Sequence, residues 1–216
     1  MKIATVRIIE DFSADNVIYL ELRSTLRQEP NMTKREYIKA MINGVEECES
    51  KNLKIKVKLI ISINRKESLE SAEENVDLAL EFARLYPNII VGIDVSGDPL
   101  QKKFTDFVKM LEKARKEGFK FTIHCGEVPD DQEISDILNF DPDRLGHCTC
   151  VHEGDKTLNC IDGTNWSKLL EKKIPVELCI TSNVKCKTVL VPEEHHFKNF
   201  YKKKHPITLA VSRQKK

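Results

Sequence analysis

With 216 residues, 40% of them hydrophobic, the chain can bury the core of one large domain or two small ones, which excludes a disordered or fibrous protein. Its 35 Lys and Arg against 34 Asp and Glu leave a formal charge of +1, which points away from nucleic acid and anionic membranes and toward a small ligand, neutral or modestly anionic. Seven cysteines without a Cys-x-x-Cys pair predict reduced thiols rather than a disulfide framework. The N-terminus meets Asp and Glu too early for a secretory segment, and no run reaches the ~18 apolar residues of a membrane span, so a cytoplasmic protein is expected; a monomer is expected as well.

In chain order, "TVRIIEDFSAD" (5–15) reads as part of a helix, "NVIYLELRS" (16–24) as a strand, and 33–51 as a helix capped by Thr33. A strand at 53–65 and a helix at 68–87, capped by Ser68 or Ser71 and ended by Pro87, make a second βα unit. The alternation continues with a strand at 88–97, a helix at 100–118, a strand at 119–125 and a short helix at 130–140. The last elements expected are a strand at 144–148, a helix at 164–173 and strands at 175–182 and 206–211.

About seven apolar strands joined by helices predict an α/β protein with a parallel sheet. No Gly-x-Gly-x-x-Gly follows the first strand, so a dinucleotide-binding doubly wound sheet loses support. Polar residues gather just past several strands, at Arg23, Asn64, Asp98, His124, His147 and Asn183, where a (β/α)8 TIM barrel builds its active site. Such a barrel typically takes about 250 residues. The expectation is therefore a single domain over 1–216, an incomplete barrel without its first strand and C-terminal part, with 206–216 as a divergent basic tail.

The residues that carry chemistry begin with "FTIHCGEV" (121–128). His124 ends a strand, and Gly126 allows a tight turn that brings Glu127 back toward it. A structural histidine, a metal site and a proton-transfer site all remain open, although a neutral imidazole beside a carboxylate suits a metal-bound water. His147 ends the next strand in "RLGHC" (144–148) and is expected near His124. His152, His195, His196 and His205 are expected to be solvated or structural, and Cys125, Cys148 and Cys150 to be small buried side chains.

The blocks "YLELRST" (19–25), "GIDVSGDP" (92–99), "FTIHCGEV", "RLGHC" and "VELCITSNV" (176–184), in this order, resemble the adenosine and AMP deaminase family of zinc-dependent barrel hydrolases. Its adenosine deaminase-like branch, the N6-methyl-AMP deaminases, is most similar. The resemblance implies His124 as a zinc ligand and Glu127 as the acid that protonates the purine ring. It implies His147 as the residue that orients and deprotonates the attacking water and stabilises its charge, and Gly97 as a backbone donor to a ring nitrogen. Arg23, Ser24, Thr25 and Asn64 resemble the part that handles ribose and 5′-phosphate, where a guanidinium and hydroxyls are apt. The implied reaction is hydrolysis of a purine nucleoside monophosphate, N6-methyl-AMP and water giving IMP and methylamine, with Zn2+ as cofactor.

The sequence also departs from the family pattern. The family's His-x-His and the Asp-Asp pair of its last strand have no counterpart, so His124 is the one zinc ligand assignable, and Leu26 stands where the family usually shows Pro. The alternative expectation is a truncated product without catalysis that at most binds a nucleotide or a partner.

Overall fold

The structure is a computed structural model and describes residues 1–151 and 163–210. Two compact units divide it: Met1–Asp94 with Met110–Phe119, and Val95–Lys109 with Lys120–Lys216.

The first unit opens with α1 (Lys2–Ala14), followed by β1 (Tyr19–Thr25), α2 (Lys34–Ser50), β2 (Lys56–Asn64), α3 (Leu69–Leu85) and the start of β3 (Ile90–Ser96). β1 and β2 run parallel, with Arg23 opposite Ile60 and Thr25 opposite Ser62, and Leu59 N–H donates to Ile89 O at 2.7 Å on the other side of β2. A strand flanked on both edges and covered on both faces must be apolar nearly throughout, and Leu59, Ile60, Ile61 and Ile63 are all at most 3% exposed. Burying each contributes about 1.5–3 kcal/mol. The helices start where their caps dictate. Thr33 accepts the Glu36 N–H while the Glu36 carboxylate takes the Thr33 N–H, and the Ser68 hydroxyl accepts from Ser71 N–H.

In the second unit β4 (Lys120–Cys125), β5 (Arg144–His147), β6 (Val176–Leu178) and β7 (Ile207–Leu209) are parallel and paired in chain order. Its helices are α5 (Asp131–Phe140), α6 (Gly163–Lys172), α7 (Ile180–Lys185) and α8 (Phe197–Lys202). The core is aromatic: Phe140 packs edge-on against Phe104 and Phe121, and Trp166 against Phe200, with centroids 5.0–5.3 Å apart. Register places His124 beside Gly146 and Cys125 beside His147, so the polar ends of β4 and β5 share one edge.

Two expected elements differ. The helix expected at 100–118 is a 3-10 turn at Phe104–Asp106 followed by α4 (Val108–Lys116). Asp98 accepts the Leu100 N–H, and Asp106 accepts the Lys103 N–H, so local carboxylate bonds hold the segment in turns until Val108. The strand expected at 175–182 stops at Leu178 and gives way to α7, whose first turn closes with Asn183 N–H on Cys179 O at 2.9 Å. A short apolar run reads alike for a buried strand and a helix start. Among the described residues no helix is long and apolar enough to cross a membrane.

Candidate active site

Each unit gathers polar side chains at its strand ends, and the two groups differ in character. In the first unit Arg23 Nη1 lies 3.3 Å from Asp94 Oδ1, with the guanidinium a quarter exposed and the carboxylate almost fully buried. Asp94, unnoticed in the sequence, is thereby the residue that aims Arg23. Ser24 Oγ is 2.9 Å from the Tyr37 hydroxyl, and Thr25 is half-buried at the end of β1. Asn64, at the end of β2, uses its side-chain carbonyl to accept the Lys66 N–H, which shapes its own turn.

The second unit holds the histidines. Gly97 sits just past β3 at φ 97°. His124 and His147 rings lie 5.0 Å apart, tilted by 52°, and His147 Nε2 is 3.7 Å from Glu127 Oε2. Two glycines permit this approach. Gly126, at φ 58°, turns the chain between His124 and Glu127, and a Cβ there would sit 2.7 Å from Val151 Cγ2. A Cβ on Gly146 would press against the His124 ring at 3.4 Å. His147 and Cys148 both adopt left-handed backbone, at φ 64° and 53°, a costly pair for residues with side chains. The kink is held by Cys148 N–H, which donates to Cys125 O, and by the His196 ring, whose Nε2 lies 2.7 Å from His147 O.

Burial lowers the pKa of His147; the Glu127 carboxylate opposes that shift and the His124 ring adds to it, so the group shares its proton equilibrium with both neighbours. Cys125, Cys148 and Cys150 are buried as expected, and burial with the adjacent Cys125 thiol raises the Cys148 pKa well above that of a free thiol. A thiol so protonated is a poor nucleophile.

Three side chains beside His147 were not assigned there from sequence. Asn183 and His195 reach it in a buried network, and His196 supports its carbonyl; His195, His196 and His205 are 3%, 2% and 6% exposed, so of the solvated and structural roles expected the structural one holds. The basic residues around them suggested solvent, but Phe200, four residues after His196, gave the better signal: it packs on the His196 and His205 rings. His152 lies outside the described residues.

The family model described as adenosine deaminase matches residues 1–212. The chain belongs to the adenosine deaminase family. It is 41% identical over 211 residues to the adenosine deaminase-like protein of Drosophila pseudoobscura pseudoobscura, covering 98% of this chain and 59% of that protein. It is 37% identical to the human N6-methyl-AMP deaminase, covering 96% and 58%. The crystal structure of Arabidopsis ADAL complexed with IMP superposes with a TM-score of 0.83 at 38% identity, covering 97% of this chain and 60% of that one. The fold is thus the deaminase type of TIM barrel, incomplete, and the chain spans about six tenths of the length of these relatives.

The family resemblance implies zinc. Among the described residues no group of three or more His, Cys, Asp or Glu is arranged to hold a metal ion, and His124 is the one expected ligand present. A catalytic zinc ordinarily takes three protein ligands, so the described donor set does not fit the ion.

Proposed function

We propose that the chain supplies nucleotide recognition and proton handling to a purine nucleoside monophosphate aminohydrolase, which converts N6-methyl-AMP and water to IMP and methylamine. The observation that carries this reading is the placement of Glu127 3.7 Å from His147 at adjacent strand ends. A carboxyl group there can give a proton to a purine ring nitrogen, and the imidazole can orient the oxygen that adds to C6. Arg23, aimed by Asp94 and still accessible, suits a 5′-phosphate, with Ser24, Thr25 and Asn64 as neighbours for phosphate and ribose, and the Gly97 backbone N–H suits a ring nitrogen. The names of the relatives, N6-methyl-AMP deaminase and an IMP complex, support the same substrate class.

The single assignable ligand favours a second reading, in which the chain binds the nucleotide without turnover. Incubation of the purified chain with N6-methyl-AMP and added Zn2+ separates the two. Equal amounts of IMP and methylamine, formed over many turnovers, support the hydrolase; intact substrate with saturable IMP binding supports the binder; neither product nor binding rejects both.

A further inference from the structure

Behind His147 a run of buried contacts fixes hydrogen positions one after another. Phe197 N–H donates to His195 Nδ1 at 3.0 Å, so that nitrogen presents a lone pair and a neutral His195 carries its hydrogen on Nε2. Burial lowers the His195 pKa, which keeps the ring neutral. Its Nε2–H then donates to Asn183 Oδ1, 3.2 Å away, and this settles which way the Asn183 amide points.

With Oδ1 taken by His195, the two Asn183 Nδ2 hydrogens lie among three neighbours, Thr188 Oγ1 at 2.9 Å, Thr149 Oγ1 at 3.0 Å and His147 Nδ1 at 3.3 Å, so one of the hydrogens is shared. The Thr188 hydroxyl donates its own hydrogen to Asn183 O, so its oxygen is an acceptor toward the amide. An N–H on His147 Nδ1 would point at an amide NH2 group, which offers no acceptor, and would be repelled. Nδ1 therefore offers a lone pair, and the neutral ring keeps its hydrogen on Nε2, the atom 3.7 Å from Glu127.

We propose that Asn183, oriented by His195, is a positioning residue that sets His147 as the Nε2–H tautomer, a hydrogen-bond donor on the side that faces Glu127. In that state His147 donates to an oxygen on which negative charge develops and cannot take a proton at Nε2, while Nδ1 faces Asn183, which keeps the orienting and charge-stabilising part of the role implied by the resemblance and excludes its water-deprotonating part. The identity of that oxygen rests on the nucleotide reading above; the tautomer does not, since it is read without substrate or turnover.

The test is a long-range 15N–1H spectrum of the histidine rings in chelator-containing buffer near neutral pH, with the His147 signals identified by their loss in His147→Gln. The wild type is expected to show one tautomer, with the hydrogen on Nε2. Asn183→Asp, which accepts where Asn183 donates, is expected to place a proton on Nδ1. His195→Phe, which keeps a ring but loses the donor, frees the amide to turn and is expected to give both tautomers; it carries the test if the aspartate variant does not fold. A proton on Nδ1 in the wild type, or ring signals that no folded variant changes, overturns the proposal.

Discussion

The strand ends of the first unit and those of the second solve opposite problems. At β1 to β3 the functional charge is left accessible: Arg23 is a quarter exposed, and one buried carboxylate, Asp94, restrains it. At β4 to β6 the groups are withdrawn from water. His147 is 6% exposed, and its Nδ1 face, backbone carbonyl and Nε2 face are met by Asn183, His196 and Glu127 respectively. A phosphate must be met by a charge that water can leave quickly. Proton transfer needs donors whose orientation and tautomer are settled before a substrate arrives. The contrast fits the proposed division, with recognition in the first group and proton handling in the second, and substitutions should separate the two.

The largest separation is expected at Glu127→Gln. An amide cannot give the ring proton, so turnover of N6-methyl-AMP should fall about 10²–10⁴-fold while IMP affinity stays within a few-fold; parallel loss of both would tie Glu127 to binding. Arg23→Ala should do the reverse. A hydrogen bond to a charged group is worth about 1.5–3 kcal/mol, so affinity for IMP should drop roughly 10- to 100-fold, with inosine binding unchanged.

Acid should also divide the units. Burial lowers the pKa of His195 and His205 in the second unit. Below about 6.5, their ordinary value, the unfolded chain binds protons that the folded one resists. Their contribution is complete above that pH and is lost as pH falls from there through the lowered folded values. Hydrogen exchange should then quicken around β6 and α8 before it does around β2, and uniform loss would contradict this. The smallest effect belongs to Thr33→Ala, which removes the α2 capping box and should cost about 1 kcal/mol in a denaturant melt with no change in nucleotide affinity.

How much of this was legible in the sequence follows from the range of the forces involved. Strand and helix order came from periodicity and caps, which are local, and the seven strands among the described residues lie where apolar runs stood. The strand-end placement of His124 and His147 and the turn that brings Glu127 back were legible because strand-end position and a glycine turn are also local signals, and the deaminase blocks that include them lie within the residues matched by the family model. Asp94, Asn183 and His195 escaped assignment because their partners are distant in sequence: Asp94 meets Arg23 across 71 positions and Asn183 meets His147 across 36. No spacing rule reaches that far. For the histidine doublet the sequence left solvated and structural roles open because charged neighbours dominate composition locally, whereas its burial is decided by Phe200 and by the His147 carbonyl.

Calorimetric titration of IMP into the purified chain and its Arg23→Ala variant bears most directly on the assignment of these strand ends to a purine nucleoside monophosphate. One-to-one saturable binding to the wild type, weakened at least about tenfold by the substitution, is the expected result. Absence of saturable binding by a folded wild-type chain, or equal affinity in the two proteins, would contradict it.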